Sequence, residues 1–259
     1  MQPVTCELKP LRPFERISLT GADDQVRLAD LEQLGREFPF VEWALLYMPG
    51  KEGAPRNPTQ AWREAFFEAG PPGFSAVHLC GAAAFDQLLA GELPHDIARA
   101  DRLQLNINAR GSDFADAVVL EVFARALALG PDVILQYHGG TAAVIERFLA
   151  RLEAADRSRV HVLLDESRGK GVLPDRWTVP APLQPSAPFV GFAGGLGPGN
   201  IEAVLADVTC LGVQHWLDME SGIRTDDQFD LAKARAVLAG AAPWWLPVRS
   251  GQRARQALR

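Results

Sequence analysis

Residues 192–201 read Phe192-Ala193-Gly194-Gly195-Leu196-Gly197-Pro198-Gly199-Asn200-Ile201. A short apolar run ends in glycines, and an amphipathic pattern restarts at Ile201. That order is a strand, a turn and the start of a helix. Glycines have no Cβ, so the backbone amides of such a turn can approach an anion closely. The helix start beyond them adds unpaired N–H groups and a positive dipole end.

The same alternation extends in both directions from this unit. Eight short apolar runs read as strands: Arg16–Leu19, Val41–Met48, Ser75–Leu79, Leu103–Asn108, Val133–Tyr137, Val160–Asp165, Phe189–Ala193 and Val213–Asp218. Helical patterns separate them. Asp23 and Asp24 open a run with Val26, Leu28, Leu31 and Leu34 at near-helical spacing; Ala115–Leu129 is dense in Ala, Leu and Val; Thr141–Leu152 sets Val144, Phe148 and Leu152 on one face. Alternating strands and helices predict a parallel sheet covered by helices, and eight units predict a closed (β/α)8 TIM barrel. The sixth helix should be irregular, because Pro174, Pro180, Pro182, Pro185 and Pro188 crowd its place and proline lacks the N–H that a helix interior needs. No linker or fixed-period repeat divides residues 1–259, which are expected to form a single barrel domain. Residues 246–259, with Arg249, Arg253, Arg255 and Arg259, are expected as a flexible basic tail.

The chain has 259 residues, 47% hydrophobic and 22% charged, a composition that supports a packed core. Its net charge of -6 argues against nucleic acid and membrane surfaces as partners, since both favour a basic face. Cys6, Cys80 and Cys210 are far apart and show no metal-ligand spacing, so neither a disulfide framework nor a metal is expected. No cofactor is implied. With no signal-like or membrane-spanning run, a cytoplasmic monomer or homodimer is the expectation.

Barrels of this type place their chemistry at the C-terminal ends of the strands. Here those ends carry Ser18, Arg56 in a long loop, His78, Asn106 with Asn108, Gln136 with His138, Asp165 with Glu166, and Asp218 with Glu220. Strand side chains alternate, so about half should face the helices instead. His78 and His138 are conventional bases or ligand contacts. Cys80, in an apolar strand, reads as a core residue, and Lys170 as a loop contact to phosphate or solvent. The eighth strand runs into Asp218-Met219-Glu220-Ser221-Gly222, a second polar turn. Barrels frequently build a phosphate site from the loops after strands seven and eight, so Gly194, Gly195, Ser221 and Gly222 are the expected phosphate contacts.

At these residues the sequence resembles the phosphoribosylanthranilate isomerase family, in which an Ala-Gly-Gly-Leu turn follows strand seven and a Ser-Gly turn follows strand eight. Here they are Ala193-Gly194-Gly195-Leu196 and Ser221-Gly222. Leu163-Leu164-Asp165 is similar to the family's strand-six end, which implies that Asp165 is the general acid. Pro55-Arg56 is similar to a Pro-Arg whose arginine meets the substrate's ring carboxylate, and Gln104-Leu105-Asn106 to a Gln-Leu-His with the histidine replaced. Arg16-Ile17-Ser18-Leu19-Thr20-Gly21 corresponds to a first strand whose cysteine is the general base. The resemblance therefore implies catalytic Asp165 and Ser18, substrate contacts at Arg56 and Asn106, and a small phosphorylated substrate undergoing Amadori-type aldose–ketose isomerisation in tryptophan biosynthesis; His78 and His138 join the expected substrate contacts from their strand-end positions. A serine hydroxyl ionises far above neutral pH, so Ser18 alone should not serve as the base. The alternatives are an enzyme acting on another phosphorylated metabolite and a barrel that binds a phosphorylated ligand without catalysis.

Overall fold

A computed structural model describes residues 14–107, 116–165, 171–184 and 189–245. Cys6, Asn108, Glu166, Lys170, Pro185, Pro188 and the basic segment 246–259 lie outside the described residues.

Eight parallel strands close into a barrel in sequence order. They are β1 Phe14–Thr20, β2 Val41–Tyr47, β3 Phe74–Cys80, β4 Arg102–Asn106, β5 Asp132–Tyr137, β6 Val160–Leu164, β7 Val190–Ala193 and β8 His215–Met219. β1 pairs with β8, with Ser18 opposite Asp218, and this pairing closes the ring. The helices α1 Leu28–Glu37, α2 Gln60–Ala69, α3 Ala82–Ala90, α4 Asp116–Ala128, α5 Ala142–Arg151, the single turn α6 Ala154–Arg157, α7 Ile201–Thr209 and α8 Leu231–Ala241 follow the alternation. Between β6 and β7 the described residues hold only the 3-10 turn Ala181–Leu183, as the prolines predicted. Among the described residues no helix is long and apolar enough to cross a membrane.

α1 starts later than the sequence suggested. Asp23 and Asp24 belong to the turn before it: Asp24 accepts from the Thr59 hydroxyl and amide, and Asp23 accepts from the Arg56 amide. Both carboxylates tie the end of β1 to the long loop after β2.

Period-2 alternation decides what each strand offers to each side. One set, including Ile17, Leu19, Val77, Leu79, Leu103 and Leu105, packs in the large core shared with the helices. The other set fills the barrel. Ile134, Leu163, Phe189 and Trp216 form a small apolar cluster there. Beside it lies a charged layer: Glu42 receives Arg102 at 2.5 and 2.7 Å, Arg16 at 3.1 Å and the Ser18 hydroxyl at 2.5 Å. The guanidinium of Arg102 also lies 4.3 Å from the Trp216 ring centroid. These cations hold Glu42 down at about 2 against a burial that alone would raise it.

Candidate functional site

The C-terminal ends of the strands surround a cavity of about 90 Å³. Arg56, His78, Asn106, Gln136, Asp165, Gly194, Gly195, Asp218, Glu220 and Ser221 line it, together with Gln104 and Gly171. Most of the expected site residues are therefore brought to one place. A water occupies about 30 Å³ of liquid, and sites enclosing a whole small-molecule ligand run to about 300–1,000 Å³. This space suits an anionic head, with the rest of a ligand at the open rim. A larger cavity, about 330 Å³, lies against Leu164, Phe192, Trp177 and the loop 172–178. Leu164 and Phe192 pack in the outer core, and Ala193 lines both this space and the polar mouth.

The glycine turn after β7 is shaped as its sequence requires. Gly194 and Gly195 have φ of 119° and 65°, values that side-chain-bearing residues rarely adopt. A Cβ on Gly195 would meet the Leu173 nitrogen at 2.6 Å. Asn200 pins the turn by donating to the Gly195 carbonyl at 2.8 Å and accepting from the Gly197 amide at 3.0 Å. Among the described residues no hydrogen bond uses the amides of Gly194 or Gly195. Two such donors at a cavity wall are the elements of an anion cradle. Gly222 does not line the cavity, but its close packing positions the second turn: a Cβ there would lie 1.9 Å from the Leu196 carbonyl oxygen.

Two carboxyls face the same mouth. Asp165, just past β6, accepts from Gln136 at 2.8 Å. Asp218, on β8, accepts from the Thr20 hydroxyl at 2.6 Å. Burial pushes the Asp218 carboxyl up to about 7, with Glu220, Glu42 and Asp165 adding like-charge repulsion and the Thr20 bond opposing it. Asp218 thus titrates near neutrality, where a proton-transfer group is most useful.

Other expected residues are placed differently. Ser18 does face the barrel interior, but it lies in the charged layer bound to Glu42 and is absent from the cavity lining. Thr20, one pleat further along β1, is the residue that reaches the mouth carboxyl Asp218. His138 also lies outside the lining; its Nδ1 accepts from the Gly140 amide at 3.1 Å in the turn before α5. His78 lines the cavity, but burial lowers it to about 4, so it is neutral and weakly basic at pH 7. Asn106 lines it too, accepting from Gln104 and donating to the Cys80 sulfur. Burial raises the Cys80 thiol to about 12, which keeps it protonated near neutral pH. Among the described residues no group of three or more His, Cys, Asp or Glu could hold a metal ion.

Arg56 stands at the rim with φ of 74°, a left-handed conformation that costs a non-glycine residue about 1 kcal/mol or more. Its amide is held by Asp23 at 2.7 Å, and its guanidinium is engaged by Glu220 at 2.5 Å and Asp227 at 2.5 and 2.8 Å.

Residues 114–239 match the family model of N-(5'-phosphoribosyl)anthranilate isomerase. Among solved structures, the phosphoribosylanthranilate isomerase of Thermus thermophilus is similar at 20% identity, covering 88% of this chain and 98% of that one, with a TM-score of 0.53. TrpF from Jonesia denitrificans is similar at 16% identity, covering 90% and 99%, with a TM-score of 0.54. A further structure of a phosphoribosylanthranilate isomerase, in complex with reduced 1-(o-carboxyphenylamino)-1-deoxyribulose 5-phosphate, is similar at 16% identity, covering 88% and 98%, with a TM-score of 0.55. Such low identities speak for the fold alone. No curated protein sequence matches the chain closely enough to name a relative. The closed eight-stranded barrel is thus shared with phosphoribosylanthranilate isomerases of known structure, and residues 114–239 of the chain match that family's model.

Proposed function

We propose that this barrel binds a phosphorylated sugar or phosphoribosyl compound and carries out an Amadori-type aldose–ketose isomerisation. One observation carries the reading: Asp165 and Asp218 line the same cavity as the Gly194-Gly195 turn and Ser221. The glycine amides would hold the phosphate, and the carboxyls would move the protons.

The resemblance assigns the acid to Asp165, which leaves Asp218 as the base. Asp165 gives its proton to the ring oxygen of a phosphoribosylamine. The bond from that oxygen to the anomeric carbon breaks, its electron pair stays on oxygen, and the nitrogen lone pair forms an iminium. Asp218 then takes the proton from the neighbouring sugar carbon. The freed electron pair forms the carbon–carbon double bond of an enolamine and neutralises the nitrogen, and tautomerisation gives the ketose. Ser18 has no part in this reading, because its hydroxyl is committed to Glu42 below the mouth.

The test is to condense ribose 5-phosphate with aniline or anthranilate and follow conversion of the resulting 5-phosphoribosylamines to 1-amino-1-deoxyketose phosphates. Conversion above the uncatalysed rate is expected. The small cavity gives some weight to a second reading, ligand binding without catalysis. Phosphate-dependent binding with no acceleration for any phosphoribosylamine would favour that reading.

A further inference from the structure

Arg56 and Glu220 line the same mouth as the glycine turns and pair with each other there. A ligand like the carboxyphenylamino ketose phosphate bound to the similar structure has two anionic ends. This pair is poorly suited to the second one. The Glu220 carboxylate already sits on Arg56 Nη1 at 2.5 Å, and Asp227 takes its Nε and Nη2. Arg224 is the other cation of the cluster, and it lies between Asp23 and Asp227. Two guanidiniums thus face the three carboxylates of Asp23, Glu220 and Asp227, and the cluster has a net charge of -1.

From this pairing we infer that Glu220 is a specificity-determining residue that selects a sugar phosphate whose distal substituent carries no carboxylate. The inference rests on the phosphate reading of the glycine turns. An incoming carboxylate would have to displace Glu220 from Arg56 and then sit beside it, with like-charge repulsion in a partly desolvated cleft. A neutral aryl, hydroxyl or amino substituent meets no such conflict, and its donors can bond to the Glu220 carboxylate.

Three probes test this by titration calorimetry: ribose 5-phosphate, the reduced carboxyphenylamino ketose phosphate, and its phenylamino counterpart without the carboxyl. The wild-type protein should bind the carboxyl-free compound at least tenfold more tightly than the carboxylated one. Glu220→Gln keeps the shape and a hydrogen bond to Arg56 but removes the charge, and should shift the ratio at least tenfold towards the carboxylated compound. Equal or tighter wild-type binding of the carboxylated compound, with ribose 5-phosphate still bound, would overturn the inference alone. Failure of all three compounds to bind would remove the phosphate reading and the inference with it.

Discussion

Asp218→Asn and Asp165→Asn should each lower turnover of a phosphoribosylamine substrate by at least about 100-fold, the lower end of what a positioned general acid or base contributes. Both changes keep the shape of the mouth: an amide oxygen at position 218 can still accept from Thr20, and one at position 165 can still accept from Gln136. Removing both together should lose much less than the product of the two single losses, because acid and base act on one reaction path. The pH profile separates the roles. Burial holds Asp218 up at about 7, so as a base it is active once it has lost its proton, and kcat/KM should rise as pH rises through about 7. If Asp218 were instead the acid, kcat/KM would fall over the same range. A profile unchanged by Asp218→Asn would exclude the residue from proton transfer.

Glu42→Ala should destabilise the fold by about 3–5 kcal/mol, the usual consequence of removing one partner from a buried ion pair. The carboxylate is fully buried and is the shared acceptor of Arg102, Arg16 and Ser18. Without it, two guanidiniums would face each other inside the barrel with no anion between them. A triple change, Glu42→Leu with Arg102→Met and Arg16→Met, should recover much of the loss by leaving no unpaired guanidinium inside the barrel. The pH dependence has a definite sign. Glu42 is depressed from 4.5 to about 2, so its stabilisation is present above about 4.5 and is lost as pH falls towards 2. Chemical denaturation at pH 7 and pH 3 reads both effects. A Glu42→Ala midpoint equal to the wild type would mean that the charged layer contributes nothing to stability.

The barrel was legible because its signal is repeated. Eight apolar runs such as Val160–Asp165 alternate with amphipathic segments, and Pro174, Pro180 and Pro182 fall where the described residues between β6 and β7 hold only a 3-10 turn. The glycine turn after β7 was legible for a local reason, since the positive φ of Gly194 and Gly195 is a conformation that side-chain-bearing residues rarely adopt. The placement of Ser18 was not, because its role depends on Glu42 and Arg102, whose sequence separation of 60 residues only the closed barrel brings together. A charged residue at a period-2 position inside an otherwise apolar strand, as Glu42 is in Val41–Tyr47, is the signal that could have shown it. Asp218 and Glu220 were visible as polar strand-end residues, but their roles come from partners on other strands and loops: Thr20 from β1 and Arg56 after β2.

The most direct test of the central claim is titration of ribose 5-phosphate, with ribose as the control, into the wild-type protein and Gly195→Val. If the glycine turns cradle a phosphate, the wild type binds ribose 5-phosphate and not ribose. A β-branched side chain at a left-handed position 2.6 Å from the Leu173 nitrogen should then weaken that binding more than tenfold, or about 1.4 kcal/mol. Equal binding of ribose and ribose 5-phosphate, or an unchanged affinity in Gly195→Val, would contradict it.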